Sequence, residues 1–206
     1  VEVADTENEA SYQALFRTLK ERGLRGVELV TSDDHRGLTA AIARHFQGAA
    51  WQRCQVHVAR NLLAAVGQRH RRVLADDLRG IFVASTPEQA HASAQGAADR
   101  WRPTHPALAT RLEEDLEEAL ACLAFPAEHR VRIRTTNGLE RLNQELKRRT
   151  RGVRIFPNPV SLLRLATALA MEQSEEWVSG RRYLDMTLLT TQSPDRMTVP
   201  LSAAAD

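Results

Sequence analysis

"GVELVTSDDHRGLTAAIARHFQGAAWQRCQVHVARNLL", residues 26–63, changes its hydrophobic period three times. "GVELVT" (26–31) is a short apolar run of the kind that forms a buried strand, and it stops at "SDDHRGL". Leu38, Ala41, Ile42 and Phe46 then recur at helical spacing. "AAWQRCQV" (49–56) predicts a second strand that runs into a helix through about Leu63. The order β–α–β–α predicts part of an α/β sheet domain.

The flanking sequence is helical. Residues 8–22 carry Tyr12, Leu15, Phe16 and Leu19 on one face and close at Gly23. From about 68 to 124 no strand pattern appears. Helices are predicted near 69–84, 87–101 and 105–124, broken by Thr86-Pro87 and by Pro103 with Pro106, and ended by Phe125-Pro126. A last pair is predicted near 137–150 and 159–179, separated by "FPNP", and the tail beyond 190 is predicted to be disordered. Two short strands cannot form a stable sheet alone. The sheet is therefore expected to be completed by another part of the domain or by a partner. Trp51, Trp101 and Trp177 read as packing residues.

Composition narrows the class. The 206 residues are 43% hydrophobic and 26% charged, which suits a soluble fold with a sizeable core. No apolar run long enough to span a membrane occurs, and the acidic start "VEVADTENEA" does not resemble a signal peptide. Cys54 and Cys122, far apart, make no disulfide framework and favour a reducing cytoplasm. Net charge is only +2, but Arg130, Arg132, Arg134, Arg141, Lys147, Arg148, Arg149, Arg151 and Arg154 crowd one stretch. Such a block is either a phosphate-binding surface or a solvated helix face.

Within it, "RTTNGLERLNQELKRR" (134–149) holds two glutamates. Glu145 has Arg141, Arg148 and Arg149 at helical neighbour positions, whereas Glu140 has Thr136, Asn137, Asn143 and Gln144. Asn137 and Glu140 fit a capping box, with Glu140 reaching back to the backbone N–H of Asn137. Leu139, Leu142 and Leu146 predict the buried stripe, with Glu140 and Lys147 along its edge. Capping and metal binding by Glu140 both remain open on this geometry. Asp33, at the carboxyl end of the first strand, is placed either to hold a divalent cation or to cap the next helix, as Ser32 and Asp34 also are; the spacing favours the cap. Asp34 and His35 are weaker metal candidates. Cys54 and His57 have half a zinc spacing without a second half, and a lone cysteine beside a sheet reads as core.

Two blocks, "VTSDDHRGLTAAIARHFQGAAWQRCQVHVARNLL" and "RTTNGLERLNQELKRRTRGVRIFPNPVSLLRL", resemble the signature regions of Mutator-type bacterial transposases. The likeness takes in "LKERGLRGVELV" and continues to about "EEW" and Tyr183. It implies an RNase H-like catalytic domain with an Asp, Asp, Glu set around Mg²⁺ or Mn²⁺. It maps the second Asp onto Asp33, the Glu onto Glu140 and the family's Cys-x-x-His motif onto Cys54 and His57. The implied organisation is a partial RNase H-like core over 1–67, a helical insertion over 68–126, catalytic-core helices over 127–189 and the tail from 190. The fold class is thus expected to be α/β, mostly helical.

The implied reaction is two-metal phosphoryl transfer on DNA, with Arg141, Lys147, Arg148, Arg149, Arg151 and Arg154 on phosphates. The implied partners are transposon-end and target DNA, with a further copy or a full-length transposase, in the cytoplasm at the nucleoid. The resemblance places the first Asp before "VEVADTENEA", and Asp5 is no substitute for it. The chain is therefore expected to be a carboxyl-terminal part that is inactive alone. The alternative expectation is a non-catalytic DNA-binding or dimerising remnant.

Overall fold

A computed structural model describes residues 6–153, 155–180 and 183–190. Arg154, Asp5 and the tail from 191 onward lie outside these residues. The architecture is α/β and mostly helical. Helix α1 (Glu9–Glu21) starts at Asn8, whose side chain accepts from the Ser11 N–H at 2.9 Å, and ends before Gly23 in the left-handed region (φ 103°). Strand β1 (Leu29–Ser32), helix α2 (Arg36–His45), strand β2 (Ala50–Arg53) and helix α3 (Gln55–Ala64) follow. The strands are parallel, in register from Leu29 opposite Ala50 to Ser32 opposite Arg53. β1 is thus shorter and later than the expected 26–31. Gly26 sits at φ 63°, and the ladder runs only where β2 lies opposite.

Phe16, Ala41, Ile42, Phe46 and Trp51 form a first core between α1, α2 and β2. A Cβ on Gly37 would come within 2.7 Å of the Glu9 backbone nitrogen, so the closeness of α1 to α2 requires glycine there. The second, larger core joins Val58 and Leu62 of α3 to α4 (Gln68–Phe82), α5 (Pro87–Trp101) and α6 (Pro106–Glu114). Leu74, Leu78, Ile81, Ala97 and Leu112 are its centre.

The expected helix over 105–124 stops at Glu114 and continues as two 3₁₀ turns, Glu117–Ala119 and Ala121–Ala124. Two causes act together. Acidic residues crowd the end of α6, where the helix dipole disfavours them. In addition, the Cys122 N–H goes to Gln52 Oε1 at 2.7 Å, and the Ala119 carbonyl accepts from Gln52 and Gln55 at 2.7 and 2.9 Å. Groups that would extend an α-helix are spent on the strand layer.

A helix not anticipated from sequence, α7 (Ala127–Ile133), leads into α8 (Asn137–Arg151) and α9 (Pro159–Ser179), followed by a short α10 (Thr187–Thr190). The expected buried stripe of α8 is not buried: Leu139 is 58% exposed, and neither α8 nor α9 contains a buried residue. The two helices pack on each other across a groove of about 360 Å³ lined by Leu142, Leu146 and Leu169. That contact covers only part of either apolar face. Trp177 is likewise 58% exposed rather than packed, whereas Trp51 and Trp101 are buried. Among the described residues, no helix is long and apolar enough to cross a membrane.

Candidate functional site

The carboxyl ends of β1 and β2 carry the residues of interest. β1 delivers Asp33 one residue beyond its last ladder position. The expected cap role falls elsewhere: His35 is the N-cap of α2, its Nδ1 accepting from the Leu38 N–H at 3.3 Å. Asp34 pairs with Arg53 at 2.9 Å, and Arg53 also reaches Glu118 at 3.7 Å. Asp33 is left exposed at the strand end, and among the described residues no ion pair reaches its carboxylate. Its charge contributes, after burial and Glu7, to raising the Tyr12 phenol above its ordinary pKa.

β2 delivers Cys54, whose N–H continues the ladder to the Ser32 carbonyl at 2.8 Å. Cys54 is fully buried and is the N-cap of α3, in keeping with its reading as core. His57 lies one helical turn later.

The α7–α8 connection hangs from this same end of the sheet. Thr31 Oγ1 donates to the Ile133 carbonyl at 2.5 Å, and the Gln55 N–H donates to the Arg134 carbonyl at 3.1 Å. The Thr136 N–H reaches Cys54 Sγ at 3.4 Å. The N-cap of α8 is therefore Thr136, not Asn137. Glu140 does not close a capping box to Asn137; its Oε1 instead lies 3.4 Å from the Thr136 hydroxyl and 3.5 Å from His57 Nε2. The glutamate without arginines has an imidazole from another helix.

Cys54, His57 and Glu140 thus come together. Asp33 shares their end of the sheet without touching them in any ion pair or hydrogen bond among the described residues. Within those residues, no three His, Cys, Asp or Glu side chains group as a metal site. Asp33 and Glu140 offer hard oxygen ligands of the type Mg²⁺ prefers, which fits part of a site to be completed by water and phosphate oxygens.

Along α8, Glu140, Gln144, Lys147 and Arg151 follow one another on one stripe, at helical neighbour spacings. Arg141, Lys147, Arg148, Arg149 and Arg151 are all exposed. Arg148 and Arg149 hydrogen-bond Glu145 at 2.6–2.8 Å, which holds its carboxyl down at about 2; Arg141 makes no such pair among the described residues. Two arginines of the basic block serve structure instead. Arg130 donates to the carbonyls of Phe125, Ser85 and Leu123, and Arg134 to that of Phe82. Sequence reasoning missed Thr136 and Arg53. A threonine four positions before Glu140 was a readable cap signal; nothing local marked Arg53 as the partner of Asp34.

Residues 1–180 match the family model described as "Transposase, Mutator family". The chain belongs to that family. It is 44% identical over 185 residues to the transposase for insertion sequence element IS406 of Burkholderia multivorans, covering 89% of this chain and 48% of the relative. The transposase for insertion sequence element IS1081 of Mycobacterium tuberculosis is 41% identical over 190 residues, 92% of this chain and 46% of that protein. The transposase for insertion sequence element IS256 in transposon Tn4001 of Staphylococcus aureus is 36% identical over 182 residues, 87% and 46%. The chain spans about half the length of these relatives.

Proposed function

We propose that this chain forms part of the strand-cleavage and strand-transfer centre of a Mutator-family transposase, built on an RNase H-like core with residues 68–126 as a helical insertion. Asp33 and Glu140 would hold Mg²⁺ or Mn²⁺. The third carboxylate, which the family resemblance places on sequence preceding residue 1, lies outside these 206 residues. Bound divalent metal supplies Lewis-acid stabilisation of the attacking and leaving oxygens in an in-line displacement. The chain's own contribution is positional. Asp33 stands at a strand end, the 133–136 segment brings the first turn of α8 to the same end of the sheet, and the cations of α8 would lie against phosphates.

The observation that supports this reading most is the state of Asp33. It follows β1 directly, does not cap α2 and has no ion-pair partner among the described residues, while Asp34 and His35 beside it are both engaged. An unneutralised carboxylate on the sheet end that also receives Glu140 suits a cation better than it suits folding.

The cations support DNA as partner. Lys147 lies about 10 Å and Arg151 about 16 Å along the helix from Glu140, a span over which successive backbone phosphates can be met. Transposon ends, target DNA and further transposase copies are the partners on this reading, with the nucleoid as its setting. Titration of the 206-residue chain with Mn²⁺, followed by electron paramagnetic resonance, tests it. Asp33→Asn and Glu140→Gln should each weaken binding about tenfold or more; wild-type affinity in both variants would refute the assignment.

A further inference from the structure

The Cys54 and His57 pair has no role in the reading above, yet both side chains point at the start of α8. Thr136 meets Cys54 Sγ twice, through its N–H and through its hydroxyl, each at 3.4 Å. The same hydroxyl lies 3.4 Å from Glu140 Oε1. One hydroxyl hydrogen cannot serve both acceptors, and the carboxylate is the stronger of the two. Cys54 is a free thiol with a hydrogen of its own. The consistent assignment runs from the Cys54 S–H to the Thr136 oxygen, from the Thr136 O–H to Glu140, and from the Thr136 N–H back to sulfur.

His57 approaches the same carboxylate from the other side. Its Nε2 lies 3.5 Å from Glu140 Oε1, so that nitrogen is the one facing the carboxylate and placed to donate to it. Its Nδ1 is buried without a hydrogen-bond partner. A ring nitrogen left unpaired in the interior is costly, so the ring orientation reflects what Nε2 faces. Both contacts converge on Oε1. Among the described residues, Oε2 has no protein partner.

We propose that the Cys54-x-x-His57 turn is a positioning device for Glu140: the thiol seats the first turn of α8 through Thr136, and the imidazole turns the carboxylate so that Oε2 is presented to a cation. Neither residue is a ligand. The spacing follows from the task, since residues three apart on a helix share a face, and Cys54 as N-cap of α3 is fixed to the ladder by its own N–H. A terminal carboxylate torsion is otherwise broad, whereas Mg²⁺ demands near-ideal octahedral ligands. The functional consequence rests on Glu140 being a metal ligand; the contacts themselves do not.

Two measurements on the intact 206-residue chain separate these levels. Without metal, Glu140→Gln should shift the ¹⁵N resonances of the His57 ring and the amide of Thr136; an unmoved His57 ring overturns the proposal. With Mn²⁺, His57→Ala and Cys54→Ala should weaken binding about tenfold, and His57→Gln, which restores an N–H donor, should recover most of the loss. His57→Ala that binds Mn²⁺ like wild type, while Glu140→Gln does not, overturns the device and leaves the metal assignment standing. Glu140→Gln that shifts the His57 ring yet binds Mn²⁺ normally supports the contact and removes the metal assignment instead.

Discussion

Gln52 and Cys122 are joined by a 2.7 Å hydrogen bond from the Cys122 backbone N–H to the Gln52 side-chain oxygen, in a fully buried setting. The amide's other end donates to the Arg53 and Ala119 carbonyls. One strand side chain therefore fixes the 3₁₀ turns that follow α6 and ties the helical region to the sheet. Gln52→Leu should leave the Cys122 N–H unpaired, since the Gln55 side-chain amide donates to the Ala119 carbonyl and the Cys122 sulfur instead. A loss of about 1–3 kcal/mol is expected by urea denaturation, against about 0.5 kcal/mol or less for exposed Gln144→Ala.

The Arg53 contacts make a pH prediction. Burial is the main influence on Glu118 and raises its carboxyl; Arg53 lowers it, and Asp34 and Asp115 raise it further, for a net upward shift. A carboxyl raised in the folded state gives stability that is complete below its unfolded pKa and is lost as pH rises through the folded value. Wild type should therefore lose some stability as pH rises from about 4.5, and Glu118→Gln should flatten that loss. A pH series of urea midpoints for the two proteins reads it directly.

Glu145 has the opposite sign. Hydrogen bonds from Arg148 and Arg149 depress it to about 2, so its contribution is present above the ordinary carboxylate range and fades as pH falls toward 2. Helix content of Glu145→Gln, followed by circular dichroism on acidification, should lack that fall.

The same pairing grades the proposed DNA contacts. Lys147 and Arg151 have no ion-pair partner among the described residues, whereas Arg148 and Arg149 share Glu145. If each free cation meets one phosphate, Lys147→Ala should reduce the slope of log affinity against log salt by about 0.9. Arg148→Ala should cost less, and Glu145→Gln should steepen the slope. Fluorescence anisotropy with a duplex over a salt series distinguishes the three.

Both cysteines are buried, and burial pushes the Cys122 thiol up to about 11. Neither should react with a thiol reagent at neutral pH unless the chain unfolds. Labelling in native buffer should stay near zero, with both thiols appearing in urea.

Sequence reasoning reached the elements whose signal is local. The β–α–β start, the Pro-punctuated helices and the odd position of Glu140 could all be read from neighbouring residues. What it missed was decided at a distance. The 3₁₀ turns after α6 are held by Gln52 and Gln55 far upstream, and the His57 contact to Glu140 depends on how 133–136 docks. Arg130 and Arg134 counted as surface charge until the carbonyls they bind were seen. The α8 stripe shows a further limit: periodicity reports that Leu139, Leu142 and Leu146 share a face, but not whether a surface exists to cover it.

The attachment of α8 at Thr136 has a mechanical consequence. With no buried residue along its length, the helix is tied to the sheet only at its first turn, among the described residues, and beyond that meets α9. Glu140 lies about 6 Å from Thr136 and Arg151 about 22 Å. A tilt of about 10° would move the acid by only about 1 Å and the last arginine by about 4 Å on the same geometry. On the reading proposed above, such a tilt would let the cations of α8 follow a bent duplex while the carboxylate stays nearly where the sheet holds it.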